Sequence, residues 1–228
     1  DMETVISGSE CASCAGARKD RQRVVTNPAS VSPEVHRHPY SEAPALYSFN
    51  VPRYFSVQLR AREFAKQNGK QLSWCHATDV PLHPGDRDLS TETLDKKRVG
   101  WLLRHDQQTC NLTSLLPLAV GMPTRLTDSV DRGRALYRGR RGVIYGWTLQ
   151  PETMPQEVDG EWLLDKLPLC IYLHFPGVEW RIGKLPPGVY PLTKRSRTWK
   201  VNKYTGIETR RTGFLLIPDF GSTAHMIQ

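Results

Sequence analysis

Apolar patterning begins at Ala45-Leu46-Tyr47-Ser48-Phe49, a short run that predicts a strand ending at Asn50. Asn50 is placed to cap a helix carrying Pro52 in its first turn, where the missing N–H costs no hydrogen bond. Val57, Ala61 and Phe64 recur at helical spacing through residue 66, while Arg53 and Arg60 share a second face. Asn68-Gly69 ends that helix, and residues 71–77 read as the next strand. Pro, Gly and Asp mark residues 81–88 as a loop. A second helix is predicted over 90–107, with a weak apolar stripe through Leu94, Val99 and Leu102. Strand, helix, strand, helix is the order that a parallel α/β layer requires.

Beyond Asn111 the period shortens. Runs rich in β-formers cover 115–127, 142–149, 167–175, 178–182, 190–201 and 212–217, each bounded by Gly or Pro. Such spacing without intervening helices predicts a small antiparallel barrel or sandwich. The acidic stretch 152–165 reads as an exposed loop with one helical turn. Residues 1–42 carry Ser, Ala, Pro and charge without a period, so a disordered or linker segment is expected there. The overall expectation is an α/β chain with a β-rich insertion.

Charge adds a class of partner. Among 228 residues, 31 Lys and Arg face 23 Asp and Glu, a net charge of +8. Most of the excess lies in two runs. Lys194, Arg195, Arg197, Lys200, Lys203, Arg210 and Arg211 are interleaved with Tyr190, Trp199 and Tyr204, and Arg132, Arg134, Arg138, Arg140 and Arg141 form the second run. Cations track phosphates and aromatic faces accept bases, so the mixture suits a single nucleic-acid strand; cationic protection of a strand edge is the alternative. The longest apolar stretch, 115–120, is far too short to span a bilayer. Five scattered cysteines point to a reducing, intracellular setting. Cys11 and Cys14 lack the second ligand pair that a zinc site needs, and are expected as free thiols.

No self-contained catalytic site is legible. The sequence has no GxxxxGK[ST] phosphate loop, no GxGxxG, no GxSxG and no HExxH. Two stretches stand out instead. One is Leu116-Pro117-Leu118-Ala119-Val120-Gly121-Met122-Pro123-Thr124-Arg125-Leu126-Thr127, followed by Leu136 to Ile144 with Gly139-Arg140-Arg141-Gly142 inside it. The other runs from Arg210 to Pro218 and into Ser222-Thr223-Ala224-His225-Met226-Ile227-Gln228.

These stretches resemble segments of superfamily-1 ATP-dependent DNA helicases of the PIF (petite integration frequency)/RecD type. The first resembles the entry into that family's inserted Src-homology-3-like barrel, with Arg138 where Asn is usual before Gly139. The second resembles helicase motif V, and Ala45 to Asn50 with Arg53 more loosely resembles motif IV. The resemblance covers about residues 43–228 and implies the second RecA-like motor domain. Its first part would span 43–112, the barrel insertion 113–220, and the return to the motor domain 221–228.

The resemblance makes Thr223 and His225 DNA-contact candidates and Gln228 a nucleotide-coupling candidate. It sets Asn50 and Arg53 facing the nucleotide cleft, and Thr124 and Thr127 near single-stranded DNA. With Lys194, Arg195, Arg197 and Trp199 from the basic run, these form the expected interface. ATP and Mg2+ belong to a full-length parent that also holds the first RecA-like domain and an upstream phosphate loop; neither cofactor is expected for this chain alone. A glycine and a helix are expected to follow Gln228. A stand-alone module binding single-stranded DNA or RNA, and an inactive helicase remnant, are the alternative readings.

Overall fold

The computed structural model describes residues 44–82, 91–201 and 207–223. Among these residues the chain forms fourteen short strands and two α-helices. Strand β1 (Ala45–Tyr47) leads into helix α1 (Asn50–Gln67). The helix buries Arg53, Tyr54, Val57, Ala61 and Ala65 on one face. Phe49 occupies the N-cap without a side-chain bond, and Asn50 is already helical, which corrects its expected capping role. At the other end the Lys70 N–H donates to the Ala65 carbonyl and the Gly69 N–H to that of Lys66. Gly69 takes a φ of +58°, the left-handed stop that the Asn68-Gly69 pair predicts.

Strands β2 (Ser73–His76) and β3 (Thr78–Pro81) precede helix α2 (Thr91–Leu102) and a 3-10 turn at Asp106–Thr109. The expected 90–107 helix therefore stops at Leu102. The carbonyls freed by that stop find partners: the Tyr54 hydroxyl donates to Leu102, Arg211 Nη2 to Trp101 and Ser114 Oγ to Arg104.

The remaining strands are β4 (Leu115–Leu118), β5 (Pro123–Leu126), β6 (Arg141–Thr148), β7 (Gln156–Val158), β8 (Glu161–Leu164), β9 (Cys170–His174), β10 (Val189–Thr193), β11 (Arg195–Lys200), β12 (Glu208–Gly213), β13 (Leu216–Pro218) and β14 (Gly221–Thr223). They form four sheets, ordered β1-β14, β10-β9-β6-β5-β13, β11-β12-β3 and β4-β2-β8-β7. The five-stranded sheet is antiparallel throughout, and its outer strands β10 and β13 do not pair with each other among the described residues. The fold is thus mixed and sheet-rich with few helices.

Four expectations change. β1 does not pair with β2; its parallel neighbour is β14, with Ala45, Leu46 and Tyr47 opposite Gly221, Ser222 and Thr223. The α/β layer expected within 43–112 is replaced by sheets that cross residue 112, because β2 pairs with β4 and β8 and β3 pairs with β12. The 152–165 stretch is a hairpin rather than a loop, turned by Asp159 and Gly160 with φ of +53° and +78°. Residues 178–182 form no strand. One apolar core joins the layers, running from Val57 and Ala61 of α1 through Trp74 and Leu116 to Ile144, Ile171 and Leu173.

Candidate nucleic-acid interface

The basic run folds into β11 and β12 with β3 at the edge, and period-two alternation gives the sheet two unlike faces. The inner face is built on Arg211, which is fully buried. Its Nε and Nη2 donate to Asp79 at 2.9 and 2.7 Å, and Nη1 reaches Ser114. The guanidinium also lies 5.0 Å from the Trp199 ring centroid. Trp199 meets Trp101 edge-on at 6.2 Å, and its Nε1 donates to Asp79 at 3.4 Å. With one ring face under Arg211 and only 3% of the residue exposed, Trp199 has no free surface for a base. Its expected stacking role is thereby corrected: alternation along β11 turns it inward.

The outer face carries Ser196, Thr198 and Lys200 on β11 beside Thr212, Arg210 and Glu208 on β12. Ser196 and Thr212 share a hydrogen bond of 2.7 Å. Lys194, Arg195 and Arg210 are exposed and make no ion pair among the described residues. Arg197 is engaged: Nη2 meets Asp128 at 2.7 Å and Nη1 donates to the Cys110 carbonyl at 3.0 Å. Burial opposes ionisation at Asp128, yet hydrogen bonds from Arg197 and the Ser129 N–H outweigh it and hold the carboxyl below its usual range. Hydroxyls and unpaired cations on one exposed face suit a sugar-phosphate backbone.

Thr124 and Thr127 lie inside the fold. Thr124 Oγ1 donates to the Gly142 carbonyl at 3.2 Å and Thr127 Oγ1 to that of Asn111 at 2.6 Å. Both are buried, so their expected approach to a strand is corrected to a structural role in seating β5. The Gly139-x-x-Gly142 spacing has two separate causes. Gly139 takes φ of +85° in the turn before β6, whereas a Cβ on Gly142 would stand 2.9 Å from the His174 carbonyl and 3.0 Å from the Phe175 ring.

Near the start of α1, Arg53 is 1% exposed and its Nη2 donates to Asp106. Asn50 Nδ2 donates to Gln107 at 3.0 Å. Thr223 is fully buried in β14. An arginine that reads a phosphate must present its fork to the ligand, and Arg53 presents it to a carboxylate. As placed, Asn50 and Arg53 are engaged within the fold, and Thr223, expected to contact DNA, is enclosed in β14. Next to them Arg125 donates to Ser222 Oγ at 2.5 Å and to the Gly221 carbonyl at 2.8 Å, while Arg141 meets Asp219 at 2.7 Å. Burial raises the Asp219 carboxyl above its usual range, with Arg125 and Arg141 offsetting part of the effect. His225, Gln228, Lys203 and the Cys11–Cys14 pair lie outside the described residues. Among those described, no cluster of His, Cys, Asp and Glu could hold a metal ion, and no helix is long and apolar enough to cross a membrane.

Sequence reasoning did not single out Arg210 or Tyr137 as site residues. Arg210 was hidden beside inward-facing Arg211, and only the β11–β12 register separates the two. Tyr137 is exposed beside Arg138.

No protein-family model matches the chain, and no curated protein matches it. Solved structures that overlap it include the Pif1 helicase of Candida albicans, at 13% identity and a TM-score of 0.41, covering 76% of this chain and 35% of that one. Unliganded Pif1 from a Bacteroides species overlaps at 11% identity and 0.38, covering 75% and 39%. Bacteroides Pif1 bound to ssDNA overlaps at 13% and 0.31, covering 78% and 38%. The chain spans between about a third and two fifths of those proteins.

Proposed function

We propose that this chain is a single-stranded-DNA-holding part of a PIF/RecD-type helicase motor, without ATPase activity of its own. The DNA contact is the outer face of β11 and β12 with Arg210, extended by exposed Lys194 and Arg195 at the start of β11. ATP and Mg2+ are handled by a first RecA-like domain outside this sequence. The observation that carries the motor reading, over that of a stand-alone single-strand-binding module, is the parallel pair of β1 and β14. β1, in the motif IV-like segment, stands beside β14, where the motif V-like stretch begins, although the β-rich sheets intervene in sequence.

Binding of the full 228-residue chain to fluorescent oligothymidylate, titrated at several salt concentrations, tests the DNA contact. Affinity is expected in the roughly 10⁻⁴–10⁻⁶ M range of sequence-tolerant binding, falling steeply with salt. The double change Lys194→Ala/Arg195→Ala should lower the salt slope by about 1.4, at about 0.7 per phosphate on a single strand. A flat salt dependence, or no binding at low salt, would overturn the proposal.

A further inference from the structure

The loop between β5 and β6 carries the second basic run, and the β11–β12 face leaves it unused. Its charges resolve into pairs and remainders. Arg134 meets Asp131 at 2.6 Å, Arg141 meets Asp219 at 2.7 Å, and Asp128 is taken by Arg197. Both loop carboxylates are therefore occupied. Arg132, Arg138 and Arg140 are exposed and make no ion pair among the described residues. In their midst stands Tyr137, 49% exposed, its hydroxyl donating to the Arg132 carbonyl at 3.4 Å.

The loop is held in shape. The Leu136 N–H donates to the Asp131 carbonyl at 2.8 Å, the Val130 N–H to Leu136 at 2.9 Å, and the Gly139 N–H to Leu126 at 2.8 Å. Leu136 is fully buried and anchors the turn, so its neighbour Tyr137 is presented outward from a fixed support. A preordered aromatic loses little freedom on binding. The loop is also contiguous with β11, because the Arg197–Asp128 pair ties the two together.

We infer that this loop is a second contact for the same single strand, with Tyr137 stacking on a base and Arg132, Arg138 and Arg140 meeting phosphates. The inference rests on the nucleic-acid reading above and names the stacking residue that buried Trp199 cannot be. An exposed ring ringed by unpaired guanidiniums suits a polymer with both π-faces and phosphates, better than one with carboxylates alone.

Anisotropy titrations of the full chain with oligothymidylate, and with polyglutamate as an acidic-peptide probe, test it. Tyr137→Leu should raise the oligothymidylate Kd roughly 5- to 150-fold at an unchanged salt slope. Tyr137→Phe, which keeps the ring, should restore tight binding. Arg138→Ala/Arg140→Ala should lower the slope by about 1.4. Oligothymidylate carrying 5-iodouracil should photocrosslink at Tyr137. The inference falls if Tyr137→Leu, folded by its melting curve, binds like the original chain while Lys194→Ala/Arg195→Ala is weakened; the β11–β12 face would then act alone. It also falls if polyglutamate binds as tightly and the crosslink maps elsewhere. Absence of any oligothymidylate binding by the original chain overturns both proposals.

Discussion

Trp199 shows how a single side chain can carry the signature of one role and perform another. Flanked by cations, it reads as a stacking platform; in the fold its ring seals Arg211 and Asp79 from water. Trp199→Ala should therefore cost about 3–5 kcal/mol of stability, as large core truncations do. Urea denaturation checks this, and a variant of unchanged stability that loses only DNA affinity would restore the stacking role. Cys75 offers a second check on burial. Removal from water pushes its thiol from the ordinary 9.0 up to about 12. Below about pH 9 the folded and unfolded chains both hold the proton. Between about 9 and 12 the unfolded chain releases it while the fold retains it, so stability falls as pH rises across that interval, by up to about 1.4 kcal/mol per pH unit. The loss of stability from pH 8 to pH 10 should be smaller in Cys75→Ala than in the original chain, as measured by urea midpoints.

At the scale of elements, β14 is seated on β1 by an absence. A Cβ on Gly221 would stand 2.7 Å from the Tyr47 ring and 3.3 Å from Val57. Gly221→Ala should push the two strands apart, at a cost of about 1–3 kcal/mol, the usual range for overpacking. Faster amide exchange at residues 45–47, with exchange in β6 and β9 unchanged, is the expected signature. Local signals made α1 legible: Pro52, the Val57–Ala61 spacing and the Asn68-Gly69 stop all act within a few residues. The strand runs at 115–127, 142–149 and 190–201 were legible for the same reason. Pairing was not. That β1 chooses β14 over β2, and β2 chooses β4 and β8, depends on contacts distant in sequence that no local period encodes. The Asp159-Gly160 hairpin was legible in principle, as the strongest short turn signal, but the acidic residues around it masked the strands. On the basic strands, charge singles out the run while alternation decides which side chains are exposed, turning Arg210 outward and Trp199 and Arg211 inward.

At the scale of the molecule, the layers share one core. The two residues expected at a nucleotide cleft, Asn50 and Arg53, are engaged with Gln107 and Asp106. Purified alone, the chain should turn over no ATP with or without oligothymidylate, as followed by phosphate release; DNA-stimulated release would contradict the proposed division of labour. The joining of β1 to β14 also sets a schedule. Arg60 of α1 donates to the Phe220 carbonyl across 160 residues of sequence. At synthesis rates of about 5–20 residues per second, roughly 8–30 s pass between the emergence of those two groups from the ribosome. Throughout that interval β1 lacks its β14 partner, so an early stretch of the described chain is among the last to be finished, and it is there that a chaperone would find the nascent protein open.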